Sequence, residues 1–129
     1  MRYLLDTHYV LWVPIDDRRI RSAAREIIEN PANDLLFSVA SLWEMAIKRA
    51  QGKGGYPIDP REIRRQMIAN GYTELAIEGA HAVAVDALPP IHKDPFDRIL
   101  IAQAVVEGIT LLTVDEEIAK YPGPICRVS

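Results

Sequence analysis

The sequence predicts an α/β fold: a central parallel sheet of four to five strands, flanked by helices on both faces. Three observations carry this. Short apolar runs at Tyr3-Leu4-Leu5, Leu35-Leu36-Phe37 and Ile109 to Val114 have strand length without strict polar alternation, as strands covered on both faces do. Helix-period segments separate those runs, and alternating strand and helix is the pattern of a parallel sheet. Two of the runs end at an aspartate, Asp6 and Asp115, where such sheets present their ligand-binding edge.

Each element has a local reason. Residues 2–5 make the first strand by length and content. Ile20 to Ile28 places Ile20, Ala23, Ala24, Ile27 and Ile28 at i, i+3, i+4, i+7 and i+8, and Asn30-Pro31 stops that helix. The second strand, Leu35 to Phe37, runs into Ser38, a good N-cap. The helix that follows carries an apolar stripe of Val39, Leu42, Trp43, Ala46, Ile47 and Ala50, and Gly52-Lys53-Gly54-Gly55 should end it. Asp59-Pro60 opens another helix and Asn70-Gly71 closes it. Thr73 to Ile77 reads as a third strand, and Glu78 to Ala87 as a short helix before the rigid Pro89-Pro90. Asp94-Pro95 caps a long helix bearing Ile99, Leu100, Ala102, Ala104, Val105 and Val106, closed by Gly108. Residues 109–114 form the fourth strand and 125–128 a fifth.

The 129 residues, 49% hydrophobic and 26% charged, read as one domain (residues 1–129) with no linker or repeat. A lone Cys126 fits a reducing cytoplasm, no apolar stretch approaches the roughly 20 residues of a membrane span, and the opening residues meet a charge too early for a secretory signal. Cytoplasmic residence is the expectation. A net charge of −3 argues against a purely electrostatic nucleic-acid binder. It leaves room for a nuclease, because basic residues cluster locally at Arg18-Arg19-Ile20-Arg21, Lys48-Arg49 and Arg61 with Arg64-Arg65; solvated helix faces are the plainer explanation of such runs.

Four acids draw the functional reading: Asp6, Glu44, Asp97 and Asp115. The helix opened by Asp94-Pro95 runs back to the start of strand 109–114, so its N-terminus, with Asp97, lies at the same edge as Asp6 and Asp115. Glu44 sits about 100° round its helix from Trp43, able to lean over that edge. Carboxylates gathered without cations repel by about 4 kcal/mol per pair at ~4 Å and an effective dielectric near 20. Such a cluster either raises pKa values or takes a divalent cation. Each acid also has a structural alternative. Asp6 and Asp115 could be N-caps, Asp97 part of a capping box, and Glu44 with Lys48 a surface i,i+4 pair. Asp94, directly before Pro95, is read as the cap and nothing more.

The segments Leu4-Leu5-Asp6-Thr7-His8, Ser38 to Glu44, Asp94 to Ala104 and Leu112-Thr113-Val114-Asp115, in that order, resemble the PIN-domain ribonucleases, and most of all the VapC toxins of toxin–antitoxin pairs. The resemblance runs from Met1 to about Ile125. It implies a PIN-domain fold and a Mg²⁺- or Mn²⁺-dependent endoribonuclease that leaves a 5′-phosphate and a 3′-hydroxyl. Asp6 and Asp97 would be the principal metal ligands, with Glu44 and Asp115 completing the site directly or through water, and Thr7 and Thr113 supporting hydroxyls. The partners implied are RNA, a VapB-type antitoxin whose C-terminal segment places an Arg or Lys among the acids, and a second copy in a homodimer; no membrane is implied. Pro14 and Val114 depart mildly from the family pattern, and neither removes a carboxylate.

An all-oxygen ligand set suits Mg²⁺ or Mn²⁺, and no Cys/His set for zinc is present. His8, His81 and His92 read as structural or surface residues, while His92-Lys93 and Arg98 are close enough in sequence to Asp97 to touch RNA phosphate. A phosphorelay receiver would need adjacent acids after its first strand and a late Lys after a strand. A haloacid-dehalogenase-type phosphatase would need an Asp where His8 stands. A PIN-like binding module without activity would have lost acids that are all present here.

Overall fold

The computed structural model describes residues 1–52 and 59–128. Five strands, β1 (Arg2–Leu5), β2 (Asp34–Ser38), β3 (Thr73–Leu75), β4 (Thr110–Thr113) and β5 (Ile125–Arg127), form one sheet in the order β3-β2-β1-β4-β5. Every pairing is parallel. β1 is therefore central, and its side chains split by parity. Tyr3 and Leu5 point to one core with Phe37 and Leu112, whereas Leu4 points to the other with Leu36 and Leu111. Two apolar layers on opposite faces explain why the runs lack polar alternation.

Helices cover both faces. The first layer holds α1 (Thr7–Trp12), α2 (Ser22–Glu29) and α4 (Pro60–Ala69), through Tyr9, Val10, Ala24, Ile63 and Met67. The second holds α6 (Pro95–Glu107) and α7 (Glu116–Ala119), through Leu100, Ile101, Ala104 and Ile118. α3 (Val39–Ala50) contributes Ala40 to one layer and Met45 to the other. Short 3₁₀ turns follow α1 (Val13–Ile15) and α5 (Gly79–Ala84). Among the described residues no helix is long and apolar enough to cross a membrane.

The caps fall where the side chains dictate. Ser38 accepts from the Ala40 N–H, Asp59 from Arg61, and Asp94 from Phe96 and Asp97, the last two caps preceding Pro60 and Pro95. Gly108 ends α6 at φ +67°, a left-handed conformation that a side chain disfavours. The helix expected over Ile20–Ile28 begins at Ser22, because Ile20 packs into the core from the preceding turn, its N–H bonded to the Asp17 carbonyl. β3 stops at Leu75 rather than Ile77, and the Lys53-Gly54-Gly55 part of the expected turn lies outside the described residues.

The apolar stripe of α3 does not face the core: Trp43 is 57% exposed and Ala46 and Ala50 are exposed, while Ala40, Ser41, Glu44 and Met45 are buried. Periodicity located an apolar face, but α3 turns Ala40, Ser41 and Met45 inward, and Glu44 comes inward with them. The stripe instead lines an open groove against α4, with Pro60 and with Arg49, Arg61 and Arg64 at its rim. Trp43 packs edge-on against Phe96 at the start of α6, 5.3 Å between ring centres.

Candidate metal centre

β1 ends at Leu5, paired with Leu112 of β4, so the next residues on both strands, Asp6 and Thr113, emerge side by side. The Asp6 N–H donates to the Leu112 carbonyl at 3.0 Å, extending the ladder by one bond. Asp6 is 1% exposed and its two oxygens have separate tasks. Oδ1 accepts from the Tyr9 N–H and caps α1; Oδ2 accepts from Thr113 Oγ1 at 2.5 Å and from the Val114 N–H at 3.4 Å. Thr113 Oγ1 in turn accepts from the Asp115 N–H at 2.9 Å. One hydroxyl thus joins the two strand-end aspartates. Asp115 caps α7 by accepting from the Glu117 N–H at 2.8 Å. The capping alternative holds for both acids, and neither loses its place at the edge by it.

Glu44, Asp97 and Asp115 line a cleft of about 190 Å³ together with Thr7, His8, Leu11, Lys48, His92 and Asp94. Thr7 Oγ1 and Ser41 Oγ lie 2.9 Å apart, a buried bond that ties α1 to α3 beneath it. Glu44 is only 5% exposed; Oε2 accepts from Lys48 Nζ at 2.7 Å, and among the described residues nothing donates to its buried Oε1. The i,i+4 pair exists, but half of the carboxylate is left over. A buried carboxylate oxygen with no donor is unfavourable by kilocalories unless something positive meets it.

Asp97 is held up to about pH 6: burial disfavours its charge most, the neighbouring Asp94 adds to this, the His92 hydrogen bond opposes it, and Asp115 and Glu44 push the same way as Asp94. His8 is shifted upward by the nearby Asp6 carboxylate, against the effect of burial, with further contributions from the Asp115 and Asp97 charges. Asp97 thus feels Glu44 and Asp115, and His8 feels Asp6, Asp97 and Asp115, while Asp6 itself lies behind the cleft lining, held by Thr113. An oxygen-rich donor set with an unsatisfied buried oxygen fits a hard divalent cation.

Sequence reasoning missed parts of this. His92 Nε2 lies 2.8 Å from Asp97 Oδ2, and His8 Nδ1 lies 3.7 Å from Asp6 Oδ1, so two histidines read as structural or surface stand on the cleft wall. Asp94 caps α6 as expected, yet it also lines the cleft, its carboxylate within 4.8 Å of the His92 and Asp97 ligand atoms. Arg98 is engaged within the chain: it donates to the carbonyls of Pro89 (2.9 Å) and Val85 (3.2 Å) and to Tyr121 Oη (3.1 Å), and so pins the 85–92 connection. His81 is structural, taking the Glu78 N–H on Nδ1 and meeting Glu107 with Nε2 at 2.8 Å. The signal for His92 was its spacing, five residues before Asp97 across a Pro95 that turns the chain.

A parallel α/β sheet with an acidic cleft at the carboxyl ends of its strands has its ligand site where open sheets of this kind present one. The PIN domain profile matches residues 3–124, and the chain belongs to the PIN-domain family. Over 125 residues it is 30% identical to Ribonuclease VapC22 of Mycobacterium tuberculosis, covering 95% of both chains. The fold superposes with TM-score 0.72 on VapBC2 from Rickettsia felis bound to a promoter DNA fragment, at 13% identity and full coverage of both chains. It superposes with TM-score 0.64 on a toxin-antitoxin complex from Klebsiella pneumoniae, at 20% identity, covering 96% of this chain and 95% of that one.

Proposed function

We propose that this protein is a Mg²⁺- or Mn²⁺-dependent endoribonuclease and the toxin of a toxin–antitoxin pair. The observation that carries the reading is the unpartnered, buried Glu44 Oε1 in a cleft where Asp97 is already held near pH 6. Family membership and the ribonuclease name of the Mycobacterium relative support it. Asp6, Glu44, Asp97 and Asp115 would hold the cation, directly or through water. Bound there, it supplies Lewis-acid chemistry: it neutralises phosphate charge and makes a water proton easier to lose.

The chain's own residues do the positioning. Thr113 fixes Asp6 Oδ2 and the Asp115 backbone together, and His92 orients Asp97 through Oδ2. Lys48 holds one oxygen of Glu44 and leaves the other available. Water attacking phosphorus in line would leave a 5′-phosphate and a 3′-hydroxyl. The apolar stripe left exposed on α3 supports association with other chains, namely a VapB-type antitoxin and a second copy of this protein.

Purified protein should cut RNA with Mg²⁺ or Mn²⁺, stop when EDTA is added, and resume when the cation is restored. Cleavage that persists after exhaustive chelation would exclude the cation-dependent site.

A further inference from the structure

We propose that the open groove beside the acidic cleft, lined by Trp12, Arg18, Arg19, Arg21 and Val114, binds the phosphate backbone of the RNA strand and leads it into the cleft. The inference rests on the ribonuclease reading above and gives that activity a substrate track. The groove, about 420 Å³, has no lining residue in common with the acidic cleft but adjoins it through neighbours on two sides. On one side the Trp12 ring packs 5.5 Å from the ring of His8, which lines the cleft and reaches Asp6. On the other, Val114 donates its N–H to Asp6 Oδ2 and directly precedes Asp115.

The charges make the choice. A protein of net charge −3 with acids gathered at its reaction site repels a polyphosphate there, so affinity needs cations close by. Most basic clusters are already neutralised: Arg49 and Arg61 pair with Asp59, Arg64 with Glu74, and Arg65 with Glu62. Arg19 is partly committed, forked onto Asp17 with its guanidinium 4.9 Å above the Trp12 ring. Among the described residues, the exposed side chains of Arg18 and Arg21 make no ion pair or hydrogen bond. Among the same residues Arg2 and Lys93 are exposed and unpaired as well, but Arg18 and Arg21 are the two that line one groove together.

The test compares Arg18→Gln/Arg21→Gln with Arg2→Gln/Arg65→Gln, which removes the same two charges outside the groove. Binding of a fluorescent single-stranded oligoribonucleotide in EDTA, across a salt series, isolates binding from cleavage. The groove variant should bind roughly tenfold more weakly, and its log Kd against log salt slope should fall by about 1.4, at ~0.7 per lost phosphate contact to a single strand. With Mn²⁺ present, KM should rise in parallel while kcat stays within about twofold. Arg18→Lys/Arg21→Lys should restore binding, and thermal midpoints should show all variants folded. Unchanged affinity and slope, or an equal loss in Arg2→Gln/Arg65→Gln, would overturn the groove. So would normal RNA binding combined with lost inhibition by a partner chain, which would assign the groove to protein. Wild-type protein that shows the groove-dependent slope but never cuts RNA would instead sink the ribonuclease reading and leave the groove standing.

Discussion

Asp94 and Asp97 are three residues apart, and the fold gives them different work. Asp94 caps α6 through the Phe96 and Asp97 N–H groups; Asp97 turns its carboxylate to His92 in the cleft. Without cation, the raised value of about 6 means the folded state binds the Asp97 proton more tightly than the unfolded chain does. Its stabilising contribution is present below the ordinary carboxylate value and is lost as pH rises through about 6. Asp97→Asn should therefore be more stable than wild type by up to about 3 kcal/mol at pH 7.5 in EDTA, and the gain should vanish towards pH 4. The same variant should be inactive on RNA. Asp94→Ala should lose about 1 kcal/mol through the missing cap and keep reduced, cation-dependent cleavage. Thermal midpoints at several pH values and a cleavage assay decide the matter; an active Asp97→Asn beside a folded, inactive Asp94→Ala would exchange their roles.

α6 delivers Asp97, and both of its ends are specified locally. Its N-terminus has Asp94-Pro95, and its C-terminus has Gly108 at φ +67°. A Cβ built on Gly108 would meet nothing within 4 Å, so Gly108→Ala is a test of backbone strain alone. It should cost about 1 kcal/mol in urea unfolding with metal-dependent activity intact. A larger loss accompanied by inactivity would show that the end of α6 is coupled to the site. α3 shows the limit of local reasoning. Its stripe of Val39, Leu42, Trp43 and Ala46 is a sound apolar face, yet the sheet accepts Ala40, Ser41 and Met45 instead. The small residues let α3 approach closely at the strand ends, and that approach buries Glu44.

Across the whole molecule, an acidic cleft and an exposed apolar stripe imply that the protein works with others. Production of the chain alone should arrest growth of a host lacking its partner, and co-production of an antitoxin carrying a C-terminal Arg or Lys should relieve it, because such a side chain can pair with the acids in place of a cation. Normal growth with soluble wild-type protein would count against the toxin role. Asp97→Asn should be harmless to the same host, which separates toxicity from mere overproduction.

What the chain determined by itself was the frame. Strand runs buried on both faces, Asp-Pro and Ser caps, and Gly108 after the long helix are local patterns with local physical causes, and they placed β1, β2, β4, α4 and α6 within a residue or two. They also placed Asp6, Asp97 and Asp115 at one edge, since strand direction in a parallel sheet fixes which ends share an edge. Tertiary structure alone decided which face of α3 turns inward, that Asp94 and His92 join the cleft, and that Arg98 is consumed by the carbonyls of the 85–92 connection. Those outcomes depend on distances between segments remote in sequence. Periodicity reports the faces a helix has, and only packing against a particular neighbour selects the one that is used.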